Sequence, residues 1–300
     1  MIFTGVDEAG LGPVLGPFCA SSVSFSCGGL NMPDFSRDLK QYGLRFEDSK
    51  KIFNQNTGIR LLEENVLALV YAYLDFLPET ILCFYEELGL SEKNFKNIPW
   101  YENIAGFSLP LRADLDKVKL KAGYFSSILS KTHIELKNIA LIAVGAKEFN
   151  ALIDIYQNKA SAVRECLKPL FRLNLDYEEE LNIVADCQGG RRYYDDWLNI
   201  VFPELVFERK DLGASSYSSG KIDICFEIKA DAKFLVVSMA SMIAKYTREL
   251  FMTVFNSYWN RLNAKIKKTA GYPLDGKRFL RDLREFGLLP GNEDDLIRKR

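Results

Sequence analysis

Three separate segments of the chain end an apolar run in an acid. Ile2-Phe3-Thr4-Gly5-Val6 leads into Asp7-Glu8, Leu181-Asn182-Ile183-Val184-Ala185 into Asp186, and the alternating stretch Ile222 to Lys229 stops just before Asp231. Two adjacent carboxylates at a strand end cannot both face a core, and burying either one unpaired is costly. Each acid also has an ordinary reading. Asp7-Glu8 can be a turn with one solvated and one capping acid, and Asp231 can be an acid at a helix N-terminus. The repetition weighs the other way, because in α/β sheets ligands sit at the carboxyl ends of the strands. Clustered carboxylates repel one another unless a hard cation neutralises them. Magnesium and manganese prefer oxygen ligands, and two such ions can clamp the attacking and leaving oxygens of a phosphodiester. A structural calcium would use the same donors, but no EF-type loop spacing supports it.

Around these acids stand residues suited to a polyanion. Gly10, Gly12, Pro13, Gly16 and Pro17 give the loop after Asp7-Glu8 the backbone freedom for close approach to a ligand. Ser238, Ser241, Lys245 and Arg248 recur at three- and four-residue intervals, a face suited either to phosphate contacts or to solvent. Between Arg261 and Arg281 lie seven Lys/Arg residues and one acid, Asp275, surrounding Gly271-Tyr272-Pro273. A basic stretch with a central aromatic fits a nucleic-acid backbone with an exposed sugar or base, and equally an ordinary exposed helix.

Composition removes other chemistries. The single histidine, His133, sits in Ser-Lys-Thr-His with nothing resembling a nucleophile elbow near it. The six cysteines are scattered without a C-x-x-C pair, so zinc-type ligand spacing is absent and reduced thiols of a cytoplasmic protein are expected. No signal peptide or membrane span is expected: Asp7-Glu8 interrupts the N-terminus, and the most apolar stretch, Val66 to Leu77, is short and carries Asp75. A formal net charge of −1 leaves any nucleic-acid surface to local patches such as the one around Tyr272.

The elements that must carry these residues follow from periodicity. Strands are expected at about 2–7, 18–25, 139–144, 181–185, 205–208 and 222–229, with a Cys-Gly-Gly turn leading towards a short third strand. Helices are expected within about 49–77, at 146–170, 193–201, 234–259 and 276–286. Residues from about 78 to 132 are rich in aromatics and charge without linker character, and read as a folded, mainly helical segment. Strands alternating with helices after an antiparallel start argue for an α/β mixed sheet.

At these residues the chain resembles a known family, the type 2 ribonucleases H. Val6-Asp7-Glu8-Ala9-Gly10-x-Gly12-Pro13 looks like its N-terminal signature, and Asp48-Ser49-Lys50-Lys51 is similar to its next motif. Val184-Ala185-Asp186, Lys229-Ala230-Asp231 with the helix through Lys245, and Gly271-Tyr272-Pro273-Leu274-Asp275 follow in the family's order. The resemblance implies a ribonuclease H-like five-stranded mixed sheet flanked by helices. It implies one domain over 1–300, with an insertion at about 60–130 and a substrate-contacting segment at about 260–300. It also implies magnesium- or manganese-dependent cleavage, through a two-metal site, of RNA in RNA–DNA hybrids or at ribonucleotides embedded in duplex DNA. By position, Asp7, Glu8, Asp186 and Asp231 would be catalytic metal ligands, with Asp7 bridging two ions. Gly10, Leu11 and Gly12 would read the ribose, Lys50, Ser241 and Lys245 would touch phosphates, and Tyr272 would stack on the sugar or base. The chain departs from the family in carrying Leu11 where arginine is usual, and in the length of 60–130, which could be a substrate clamp, a protein-partner surface or an elaboration. Two alternatives therefore stand beside the hybrid nuclease: a catalytically weak nucleic-acid-binding protein, and a related metal-dependent nuclease acting on another nucleic-acid structure.

Overall fold

Alternation along the first strand sets the arrangement, because successive side chains leave a strand on opposite faces. In β1 (Ile2–Ala9), Ile2 and Val6 enter one hydrophobic core, while Phe3 packs against the other. The computed structural model describes residues 1–27, 32–47, 58–90, 95, 97–176, 178–188, 191–211 and 215–299. β2 (Phe18–Cys27) and β3 (Ile134–Val144) continue from β1 as an antiparallel meander, with a register shift at Ser24/Phe25. β4 (Leu181–Asp186) runs parallel to β1. β5 (Glu208–Asp211) and β6 (Ser215–Ser219) form a hairpin whose second strand is antiparallel to β7 (Ile222–Glu227), itself parallel to β4.

The described residues thus form a mixed sheet of seven strands in the order β3-β2-β1-β4-β7-β6-β5. The expected five are its first five positions, and the β5–β6 hairpin extends the edge beyond them. Ser215-Ser216-Tyr217-Ser218-Ser219 offers no apolar alternation, so the strand is invisible to a periodicity argument. Tyr217 alone carries apolar bulk into the core there, and its hydroxyl accepts from the Tyr194 N–H at 2.7 Å.

The helices are α1 (Met32–Gln41), α2 (Arg60–Leu74), α3 (Ile81–Leu88), α4 (Leu115–Thr132), α5 (Ala146–Tyr156) and α6 (Lys159–Arg172). After them come α7 (Asp195–Val201), the short α8 (Ala230–Lys233), α9 (Leu235–Leu262) and α10 (Pro273–Glu285). Three expectations are corrected. The strand expected at 205–208 begins only at Glu208, as β5, because the chain is still turning at Leu205, whose N–H donates to the Phe202 carbonyl at 3.0 Å. The short strand expected after Cys-Gly-Gly is helix α1, with Asp34 in its first turn and Lys40 in its last, each favourable to the helix dipole. The helix expected over 146–170 is two helices, broken where Gln157 takes a left-handed φ of 50° and Asn158 caps α6 by accepting from the Ser161 N–H at 3.1 Å. The segment 78–132 is indeed helical where regular, with α3, α4 and two short 3₁₀ turns. No helix among the described residues is long and apolar enough to cross a membrane.

The sheet has two covered faces. α6 and α7 pack on the side that receives Val6 and Ile183, whereas α9 lies along β1 and β2 on the other, together with α2 to α4. Two features bring α9 into place. Gly5 has no Cβ, and a methyl group there would overlap the backbone at Val236 and Val237, so the start of α9 rests directly on β1. The Ser21 hydroxyl then donates to the Ala240 carbonyl at 2.5 Å. Gly5→Ala is expected to lower the unfolding free energy by about 1–3 kcal/mol, the usual cost of forcing extra volume into a packed interior. Urea denaturation of the variant beside the parent protein measures it.

A buried carboxylate joins α2 to α9. Glu63, fully buried, accepts from the backbone N–H groups of Leu111, Arg112 and Ala113 at 2.7, 2.6 and 2.7 Å, and from the Tyr246 hydroxyl at 2.7 Å. One side chain of the 60–130 segment therefore holds both a loop of that segment and the helix behind the acidic strand ends.

Candidate active site

Register carries Asp7 and Asp186 to the same level. Val6 of β1 pairs with Ala185 of β4, so the next residue on each strand is an acid, and alternation puts both on the face covered by α9. Asp186 in turn pairs with Glu227 of β7, and the chain then turns through Lys229, with a left-handed φ of 56°, into α8. There the Ala230 N–H donates to Asp186 Oδ1 at 3.0 Å, which brings the neighbouring Asp231 to the same end of the sheet. Glu8 leaves β1 on the opposite side from Asp7 but remains within the field of Asp7 and Asp186.

Electrostatics reports the crowding. The Asp7 carboxyl is pushed up to about 7, first by burial, with Asp186 and Asp231 adding to the rise; the Ser241 hydroxyl and the Glu8 N–H, both donating to it, oppose the shift. Glu8 is pushed up to about 8 by burial, then by the charges of Asp7 and Asp186. Carboxylates held this way favour any cation that discharges them. The donor set is all oxygen, as a hard divalent ion requires. Among the described residues, however, no three histidine, cysteine or acidic side chains close around one point able to hold a metal ion. The acids are neighbours in field and in register without forming a finished cage.

These shifts have a signed consequence for the metal-free protein. Unfolded, the two groups titrate near their ordinary values of 3.8 and 4.5; folded, near 7 and 8. The folded state therefore holds more protons between those limits. Their contribution to stability is fully present below the ordinary values and is lost as pH rises through about 7 and 8. Thermal unfolding in chelator from pH 4 to 9 is expected to show this fall, and Asp7→Asn is expected to flatten it.

The structure brings the glycine loop and the tyrosine segment together beside the acids. The Gly271 carbonyl accepts from the N–H groups of Val14 and Leu15 at 2.8 and 3.2 Å. Tyr272 is half exposed, and a Cβ on Gly12 would lie 3.9 Å from its ring. Leu11 and Gly12 stand at the surface. Ser241 is buried and holds Asp7, and Lys245 pairs with Glu249 at 2.9 Å. Ser238 and Arg248, read from spacing as part of a polyanion-facing stripe, are buried, with Arg248 under the Tyr272 ring at 6.0 Å from its centre. In the basic stretch, Arg278 is engaged internally with Asp275 and Asp282 at 2.8 and 2.7 Å. Lys50 lies outside the described residues.

Sequence reasoning missed Arg298. Its guanidinium donates to the carbonyl oxygens of Gly10 and Pro13, from the other end of the chain. Nothing local signals it, since Ile297-Arg298-Lys299 reads as a charged tail.

Comparison with known proteins bears on the family and the fold. The sequence model of the family described as Ribonuclease HII matches residues 207–285, from the β5–β6 hairpin through α10. Ribonuclease HII of Methanocaldococcus jannaschii is 25% identical over 287 residues, covering 94% of this chain and 85% of its own length. Among solved structures, the PCNA:RNase HII complex from Archaeoglobus fulgidus contains a chain similar at TM-score 0.50 and 17% identity, with 100% of this chain and 95% of that one covered. The ribonuclease H2 of Pyrococcus horikoshii OT3 is similar at TM-score 0.49 and 19% identity, over 99% and 92% of the two chains. The resemblance to the type 2 ribonuclease H family is borne out, and so is the mixed α/β fold.

Proposed function

We propose that this chain, similar to ribonucleases HII along nearly its whole length, is a divalent-metal-dependent endonuclease that cuts RNA strands of RNA–DNA hybrids or at ribonucleotides embedded in duplex DNA. Its main support is the gathering of Asp7, Glu8, Asp186 and Asp231 at one end of adjacent strands, where burial and mutual repulsion raise the carboxyls of Asp7 and Glu8. A protein that only bound a polyanion would gain nothing from clustered acids facing it.

Each residue then has a task. The four acids would hold two magnesium or manganese ions, which when bound supply an attacking water of lowered pKa and neutralise charge on the phosphate. Ser241 fixes the orientation of Asp7, and the Ala230 N–H that of Asp186. The Gly10–Gly12 backbone borders the acids and receives the strand, and the half-exposed Tyr272 stacks against its sugar or base. By the family resemblance, Lys50 and Lys245 would approach flanking phosphates. Cytoplasmic location is part of the same proposal and rests on the scattered, unpaired cysteines.

The test offers duplex DNA carrying one ribonucleotide, a duplex with an RNA tract, and an all-DNA branched substrate, each with magnesium or manganese. Cleavage confined to the RNA-containing strand is the expected result. Failure to cut either RNA-containing duplex sinks the proposal. Binding without cutting would point to a catalytically weak nucleic-acid binder. Cutting of the branched DNA would favour a related nuclease with another substrate, a reading that the exposed Leu11 keeps in play.

A further inference from the structure

The loop beside the acids has no polar side chain of its own. Gly10, Leu11, Gly12 and Pro13 can meet a ligand only through backbone N–H and C=O groups. Two of those carbonyls, on Gly10 and Pro13, accept from the Arg298 guanidinium, which is 2% exposed. On the same loop Arg248, also buried, donates to the Leu15 carbonyl at 3.1 Å and to the Ala270 carbonyl at 2.9 Å. Gly10 has φ 87°, and a Cβ there would lie 2.8 Å from Arg248 Cδ, so the loop is pressed directly on the two arginines.

Among the described residues the two guanidiniums meet carbonyl acceptors and one aromatic ring each, Tyr272 at 6.0 Å from Arg248 and Phe149 at 5.2 Å from Arg298, but no carboxylate, and Nε of each, with Nη1 of Arg298, has no hydrogen-bond partner. Burying a cation without a carboxylate is unfavourable. Burial, followed by the charge of Arg248, lowers the Arg298 guanidinium to about 10, which still leaves it protonated at neutral pH. A pair of buried cations with no carboxylate beside them is a poor device for stability alone; what it does supply is a fixed direction for the carbonyls above it. A peptide group is planar and trans, so its C=O and N–H point opposite ways. Turning the Gly10 carbonyl inward turns the Leu11 N–H outward, beside the acids. Pro13 has no N–H. What the locked peptide leaves on the outer edge of the loop is the Leu11 N–H, a donor that suits a hydroxyl or phosphate oxygen of a ribose-phosphate chain.

We propose that Arg298 is a positioning residue of the nuclease, locking the Gly10–Leu11 peptide so that the Leu11 N–H faces the ribose-phosphate strand at the cut. This rests on the function proposed above. The tail that carries Arg298 is anchored by its own backbone: Leu15 bridges Ile297, the Arg298 N–H donates to the Val14 carbonyl at 2.8 Å, and Asn150 binds the Ile297 carbonyl at 2.8 Å and the Lys299 N–H at 2.7 Å. The side chain can thus be changed while the tail keeps its anchors.

The experiment compares the parent protein with Arg298→Met and Arg298→Lys, at a temperature well below the melting point of each. The readouts are kcat and KM on a duplex with one ribonucleotide, and hydrogen exchange at the Leu11 amide in the free protein. Arg298→Met is expected to lose about ten- to a hundredfold in kcat/KM, because small misplacements at a reacting centre have effects of that size. It is also expected to change exchange at Leu11, while Arg298→Lys, which keeps the donors, regains most of both. A variant Arg298→Met that melts lower but keeps parental kcat, KM and Leu11 exchange would overturn the proposal and leave the nuclease reading standing. If the parent protein cuts no RNA-containing duplex, the nuclease reading fails and takes the substrate-facing role with it. Leu11 exchange then reports separately whether Arg298 orders the loop.

Discussion

Asp7→Asn is expected to lower metal-dependent cleavage by about a thousandfold or more while making the metal-free protein more resistant to unfolding. The two effects come from one side chain. Asp7 is buried, raised to about 7 by that burial and by the acids around it, and held by the Ser241 hydroxyl. Asparagine keeps the shape and an oxygen that can accept from Ser241, but it brings no charge. On the function proposed above, a divalent cation would lose one of its ligands without a negative oxygen at this position, and cation-assisted charge stabilisation is worth several kcal/mol at about 1.4 kcal/mol per factor of ten. The same change removes a buried charge that Asp186 and Asp231 repel, so the variant gains stability above pH 7 where the parent carboxyl is ionised. Loss of activity with a lowered melting temperature would mean that Asp7 is a structural acid. Activity within tenfold of the parent would remove it from the metal site altogether.

Glu63→Ala is expected to be the most destabilising single change away from the strand ends, by about 3–5 kcal/mol. The carboxylate is fully buried and accepts from three successive N–H groups and one phenol. Removing it leaves four donors without their acceptor, and each unsatisfied buried polar group costs about 1–3 kcal/mol before relaxation or water entry offsets part of it. Tyr246→Phe removes one donor and leaves the other three satisfied, so about 1 kcal/mol is expected there. The two changes share a partner and are not additive. Calorimetry of the two variants beside the parent protein measures the ranking. A loss below about 1 kcal/mol for Glu63→Ala would show that the 108–113 region finds other acceptors at little cost.

Much of the site was legible because local signals and global placement coincide. Asp7 and Asp186 each follow a run of apolar alternation and precede glycines, and a parallel pairing brings two such strand ends level. Gly10-x-Gly12 and Gly271-Tyr272-Pro273 announce turns, and the fold sets them side by side. What was not legible depends on partners far along the chain or on weak local patterns. β6 is a run of serines around one tyrosine, with a pairing fixed by its neighbours and not by its own alternation. The break at Gln157 uses a non-glycine residue in the left-handed region, where a glycine would have marked the helix end. The stripe Ser238, Ser241 and Arg248 has the spacing of a solvent or ligand face, yet Gly5 lets the start of α9 rest on β1 while the glycine loop and Ala270 close over Arg248, so these residues are enclosed. Arg298 is the extreme case, since nothing within the tail reveals that its acceptors lie at the other end of the sequence.

That separation has a consequence in time. The hydrogen bond from Arg298 to Gly10 joins residues 288 positions apart. Synthesis proceeds at about 5–20 residues per second, so the loop waits on the order of tens of seconds after its own translation for the arginine that locks it. The nascent chain can pair β1 with β2 and lay α9 over them, but its glycine loop stays unlatched until the tail arrives. Ordering of the loop is thereby tied to a residue translated 288 positions later, and a product broken off before position 298 would carry all four acids with the loop beside them still unfastened.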